Sequence, residues 1–194
     1  MPQAPADRSA DTSVAIHPDI AARWSPRAFA PEHQLARDDL LAVLEAARWA
    51  ATWGRRQPVR FVVGVRGDDG FEQLAALLKR GNSYAKAASA LILVCADEGP
   101  DEKTARYAGV DAGAAIANMA LEAVSRGLIS HPMAGFDVEG AHALVGNTEG
   151  LVPLAIVALG ALGDYADVAP EIAERDTLPR ERLPLDEVIL NWPV

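Results

Sequence analysis

The sequence predicts a mixed helix-and-sheet protein, α+β or mixed α/β in class, built on one central sheet. Three observations carry that reading. Segments with a 3.6-residue apolar period alternate with short runs that are β-branched or uniformly apolar. Those segments are too few for a large doubly wound sheet. The 194 residues, 50% hydrophobic and 23% charged, suffice for one domain with a sizeable core.

Residues 1 to about 15 include Pro2, Pro5, Asp7, Ser9, Asp11 and Ser13 and offer little to bury. They read as a disordered tail, with a single domain over 16–194. A helix is expected over Asp38 to about Ala50, where Leu40, Leu41, Val43, Leu44 and Ala47 form the stripe and two aspartates suit the start. Val59–Val65 reads as a strand between Pro58 and Gly67. A second helix spans about Asp69 to Lys79, with Phe71, Leu74, Leu77 and Leu78 on one face and Gly81 as its stop. The run Ala90–Ala96 is continuous and apolar, as in a strand buried on both faces.

The longest helix is expected over about Ala105 to Arg126, closed by Gly127. Ala112, Gly113, Ala114, Ala115 and Ala117 crowd its middle. Small side chains permit close approach, either within one core or against a second subunit. Leu128–Ser130 reads as a short strand or turn. Asp137 suits the cap of a short helix over Val138–Leu144, and Leu151–Leu159 reads as the last strong strand, with Pro153 near its start. Beyond Gly163 the chain is polar, proline-punctuated and weakly periodic. Such a tail lies against something else, its own domain or a partner.

Composition excludes several classes of function. The net charge is −9 and the pI about 4.9, against a generic nucleic-acid coat. No apolar run approaches the roughly 20 residues of a membrane span. The N-terminus lacks the apolar centre of a secretory signal, so a soluble, cytoplasmic protein is expected. The lone Cys95 admits no intramolecular disulfide. His17, His33, His131 and His142 have no metal-ligand spacing. Neither a nucleophile elbow, a phosphate loop nor a dinucleotide fingerprint is present.

Three basic clusters stand out in this acidic chain: Arg23-Trp-Ser-Pro-Arg27, Arg55-Arg56-Gln57 and Arg180-Glu-Arg182. Each alone reads as a solvated surface. Together they suit a dianionic phosphate ligand, because the planar guanidinium fork matches two oxygens.

From about His17 to Val188 the chain resembles the FMN-dependent nitroreductase family. Arg23-Trp-Ser-Pro-Arg27 with Ala28-Phe29 is similar to the family's opening Arg-x-Ser-x-Arg/Lys element. Glu45–Ala50 through Gln57-Pro58 and Arg60-Phe61 is similar to its EAARWAPSxxNxQPWRF stretch. Asp111-Ala-Gly113, Gly127-Leu128 and His131–Asp137 are similar to its helix and flavin-edge loop. Arg180-Glu-Arg-Leu-Pro-Leu185 is similar to its C-terminal Lys/Arg-x-Arg-x-Pro-Leu element.

The resemblance implies a three-layer α/β/α form of the α+β class. A mostly antiparallel central sheet would be flanked by helices in an intertwined homodimer, with two FMN molecules at the interface. It implies that residues from about 164 to 194 form an arm on the partner subunit. Arg23, Trp24, Ser25 and Arg27 would bind the FMN phosphate and ribityl chain, and Arg180 and Arg182 would close on the phosphate. Met133, Ala134 and Gly135 would edge the flavin, a backbone N–H there reaching N5. Arg55 and Gln57 belong to the loop that faces the flavin. The implied reaction is ping-pong: NAD(P)H reduces FMN, then a nitroaromatic, quinone or other conjugated small-molecule acceptor takes the electrons. FMN carries the chemistry, so no side chain is assigned as catalytic acid, base or nucleophile.

Three departures fall in one loop. Ala51-Thr52 stands for the family's Pro-Ser, Arg55 for its Asn, and Val59 for its Trp. They read as drift, as a cation that raises the flavin potential, or as weakened flavin binding. The last reading leads to a second function class. That is a nitroreductase-like protein without turnover that binds or sequesters flavin, or serves as a structural partner.

Overall fold

The apolar run at residues 90–96 lies in the interior of a sheet, where a run with no polar face must lie. The computed structural model describes residues 8–191; Pro2, Pro5 and Asp7 of the expected tail fall outside them. In chain order the elements are α1 (Pro18–Ala22), α2 (Arg37–Arg48), β1 (Val59–Val65), α3 (Asp69–Leu77) and a 3₁₀ segment (Arg80–Ala87). There follow β2 (Ala90–Asp97), α4 (Glu102–Ser125), β3 (Ile129–Met133), α5 (Val138–Leu144), β4 (Leu151–Gly160), α6 (Pro170–Thr177) and α7 (Leu185–Val188).

The four strands form one sheet in the order β1-β2-β4-β3, every neighbour antiparallel. Strand periodicity then divides the core. Leu91, Leu93 and Cys95 of β2 pack on one face with Phe71 and Leu74 of α3 and Ala141 of α5. Ala90, Ile92, Val94 and Ala96 pack on the other with Val43 of α2 and Ala108, Ala112, Ala115 and Met119 of α4. The result is the three-layer α/β/α arrangement the resemblance implies. Pro153 stands opposite Cys95 where the β2–β4 register shifts, and a missing N–H is tolerated at such a bulge.

Local chemistry accounts for the boundaries. Asp68 caps α3, its carboxylate accepting from Phe71 N at 2.7 Å and from Val65 N at 3.0 Å. Gly64 lets β1 lie against this turn, since a Cβ there would stand 2.2 Å from Phe71 N. α4 ends in a Schellman motif: Gly127 takes φ +69°, Leu128 N donates to Ala123 O and Gly127 N to Val124 O.

Several sequence expectations change. α3 stops at Leu77, not Lys79, because Leu78 enters a β-bridge with Phe136. Gly81 therefore lies within the 3₁₀ segment and stops no helix. β3 extends through His131-Pro-Met133, held by its pairing with β4. Asp137 stands at the N-cap of α5 without a capping hydrogen bond. Of the small residues of α4, Ala112 and Ala115 pack on the sheet, while Gly109 and Gly113 face open space beside the exposed Val110. None of the helices, among the described residues, is long and apolar enough to cross a membrane.

Candidate functional site

The two ends of the chain meet just past the end of β4. Phe29 bridges Leu162, Ala30 N donates to Ala161 O at 3.0 Å, and Gly163 N donates to Ala28 O at 2.9 Å. Gly163 makes this approach possible, because a Cβ there would lie 2.6 Å from Phe29 O. A small satellite core of Ala28, Tyr165 and Ala173, with Trp24 against it, fastens α6 onto the N-terminal segment. Arginines separated by some 150 positions in sequence are thereby brought into one place.

They line a cleft of about 360 Å³ with Arg8, Arg23, Ser25, Arg27, Arg180 and Arg182 on its walls. Arg180 is spent on structure: it donates to the carbonyls of Arg8, of Ala21 at 3.4 Å and of Arg23 at 3.0 Å. Arg8 donates to Leu178 O at 2.7 Å and lies over the Trp24 ring. Arg23 reaches Ser25 Oγ at 3.4 Å, and the exposed Arg182 donates to the carbonyl of its neighbour Glu181 at 2.7 Å. Arg27 donates to Asp176 Oδ1 at 2.7 Å. Its Nε, like that of Arg8, is buried and has no partner.

Electrostatics follow from the crowding. Burial, and then the nearby Arg182, lower the Arg23 pKa from its usual value. Burial, then Arg23, Arg8 and Arg182, do the same to Arg180. Like charges are being held together, and an anion in the cleft would relieve the repulsion.

A second set of residues continues from Arg27. Its guanidinium lies 5.9 Å from the Tyr84 ring centre, and Tyr84 in turn meets His131 at 5.2 Å, rings tilted by 60°. Burial pushes the Tyr84 hydroxyl up to about 12 and lowers the His131 pKa. His131 Nδ1 lies 3.0 Å from Pro26 O, so that nitrogen carries the proton. Asn82 Nδ2 donates to Gly135 O at 2.9 Å, and Lys79 N donates to the same carbonyl at 3.1 Å. Met133 is buried, Ala134 is exposed, and among the described residues the N–H groups of Ala134 and Gly135 have no partner. The 3₁₀ segment thus ties the end of β3 and the turn at 134–135 to the arginine cleft.

Arg55 and Gln57 lie elsewhere. Both are exposed, in the loop before β1. That loop is anchored to α4, where both oxygens of the buried Asp111 accept from Trp53 N at 3.0 and 3.2 Å and Trp53 stacks on Tyr107. Val59 pairs with Ala96, and Asp97 with Leu151 at the start of β4; the arginine cleft lies beyond Gly160 at its end. Ten residues of strand, roughly 30 Å, separate the two. Within one chain the structure does not bring Arg55 and Gln57 to Arg23 and Arg27. Arg56 has a structural task, pairing with Asp97 at 3.4 Å.

The Nitroreductase family profile matches residues 20–99 and 72–161. The chain belongs to the nitroreductase family. A Mycolicibacterium smegmatis relative, known as an uncharacterised 15.4 kDa protein in the ask 5′ region, is 65% identical over 138 residues. The match covers 67% of this chain and 93% of the relative. A crystal structure of an oxidoreductase containing FMN is 29% identical with a TM-score of 0.87, covering 97% of each chain. An FMN complex from Desulfovibrio desulfuricans, provisionally named a nitroreductase, is 25% identical with a TM-score of 0.73. It covers 93% of this chain and 99% of that one. The nitroreductase fold is thus the fold of this chain.

Sequence reasoning missed Arg8, Asn82, Tyr84 and Asp176. Pro170 at the first turn followed by Glu171 was a helix-start signal for α6. Nothing local marked Arg8, which the expected tail included; in the structure that segment is tied down, Ala10 N donating to Ala21 O at 2.9 Å.

Proposed function

We infer that the chain is an FMN-dependent oxidoreductase that takes electrons from NADH or NADPH and passes them to a nitroaromatic, quinone or other conjugated acceptor by ping-pong turnover. The observation that carries this reading is the arginine cleft. It gathers Arg8, Arg23, Arg27, Arg180 and Arg182 around the Ser25 hydroxyl, a concentration of guanidinium groups that fits a phosphate dianion. Arg23, Ser25, Arg27 and Arg182 would hold the FMN phosphate, with Trp24 shaping the wall and Arg180 bracing the loops by their carbonyls. FMN, when bound, supplies the hydride and electron transfer between nicotinamide and acceptor.

The remaining residues position and tune. The free N–H groups of Ala134 and Gly135 would meet the flavin edge, their loop held rigid by Asn82 and Lys79 on the Gly135 carbonyl. Met133 would support that loop from the core. Arg55 and Gln57, roughly 30 Å from the cleft of their own chain, would act on the flavin of a second copy. The open face of α4 at Gly109, Val110 and Gly113, and the exposed Leu183, Leu185 and Val188 of the arm, supply apolar surface for such a homodimer.

The test is direct. Protein purified without added flavin should carry the visible flavin band, lose it on anaerobic addition of NADH or NADPH, and recover it when a quinone is added. A colourless protein that FMN cannot reconstitute refutes the reading.

A further inference from the structure

Asp176 is fully buried, and a buried carboxylate is tolerated only where donors surround it. Three do. Arg27 N donates to Oδ2 at 2.7 Å, Arg27 Nη1 to Oδ1 at 2.7 Å, and the Tyr165 hydroxyl to Oδ2 at 2.8 Å. One carboxylate therefore fixes both the main chain and the guanidinium of a single cleft residue, from a helix near the other end of the chain. The Tyr84 ring flanks the same guanidinium.

We propose that Asp176, backed by Tyr165, is a positioning residue of the arginine cleft. It grips the Arg27 guanidinium at Nη1, so that the remaining donors stay available to an anionic ligand. The proposal rests on the cleft's reading as the FMN phosphate site. A guanidinium has five donors, and the Nε–H of Arg27 is buried and unpaired. The side chain as a whole is 22% exposed on the cleft wall, where an anion can reach donors that Asp176 leaves free. The other cleft arginines differ. Arg180 is consumed by backbone carbonyls, and the exposed Arg182 donates to the carbonyl of its neighbour Glu181. Arg27 is thus the one described cleft arginine held by a buried carboxylate, and Asp176 makes it so.

The test compares the affinities of FMN and riboflavin, which differ by the phosphate, for the full-length protein by flavin fluorescence. Asp176→Asn should reduce the FMN preference by about ten- to a hundredfold while riboflavin affinity holds. A merely structural pair would weaken both flavins alike. In an Arg27→Ala background, Asp176→Asn should reduce the preference no further. Tyr165→Phe, which keeps the ion pair and removes one donor, should reduce it about two- to tenfold, and it decides the matter if the Asp176 variant does not fold. Parent protein that prefers FMN, with both variants keeping that preference, overturns the role of Asp176 alone. Parent protein that binds riboflavin as tightly as FMN overturns the phosphate site and this proposal with it.

Discussion

Replacing Arg27 by Ala separates two consequences of one side chain. The substitution removes the Nη1–Oδ1 contact at 2.7 Å and leaves the fully buried Asp176 with the Tyr165 hydroxyl and one backbone N–H. Breaking one partner of a buried pair costs about 3–5 kcal/mol, because the remaining charge is desolvated and undercompensated. At about 2–4 °C per kcal/mol for a chain of this size, the melting temperature should fall by about 10 °C. Arg182→Ala offers the contrast. Its side chain is exposed and makes only a contact to the adjacent carbonyl, so stability should change by under about 0.5 kcal/mol. Both variants should still lose about 1.5–3 kcal/mol of FMN affinity, the range for a hydrogen bond to a charged group. Adding Asp176→Asn to Arg27→Ala should restore part of the lost stability by removing the stranded charge. Urea unfolding of the flavin-free proteins measures the first effect, and fluorescence titration the second. Equal stabilities for Arg27→Ala and Arg182→Ala, or no recovery in the double variant, would refute the reasoning.

Three further outcomes are expected. Replacing Arg55 by Asn should leave FMN bound and lower its two-electron potential by some tens of millivolts, at about 30 mV per 1.4 kcal/mol; an unmoved potential would put Arg55 in solvent. Burial lowers the His131 pKa below its unfolded value near 6.5, so its contribution to stability is complete above that pH. It should be lost as pH falls below 6.5 through the folded value, and unfolding free energies of the parent and His131→Gln across pH 7 to 5 should show a shallower slope in the variant. Val110→Asp on the open face of α4 should convert a species of about twice 20.5 kDa in light scattering into one of single-chain mass, whereas a parent that already runs as a monomer excludes the dimer.

Much of the fold was legible because period and apolarity are local properties. The β-branched run at Val59–Val65 and the short helix at Val138–Leu144 fall at their expected residues, and Ala90–Ala96 is buried on both faces as its composition demands. What local pattern could not carry is contact between distant segments. Leu78 leaves its helix because Phe136, far along the chain, offers a bridge. The polar tail hides a helix whose buried residues are few, Ala173 and Asp176, and one of them is charged. At the site, Arg23, Ser25, Arg27, Arg180 and Arg182, which the structure brings to one cleft, could be grouped because arginine is conspicuous in an acidic chain. Asp176 could not, since its partners Arg27 and Tyr165 are defined only by the meeting of the two chain ends. Arg55 shows the converse: its motif was recognisable, yet the sheet holds it far from the cleft of its own chain.

The most direct test of the central claim is an anaerobic titration of protein purified with no flavin supplied. The account predicts one FMN per chain, released on denaturation and identified as the monophosphate. NADH or NADPH should bleach its visible absorption, and a quinone should restore it. Protein that emerges colourless and binds no added FMN would contradict the account.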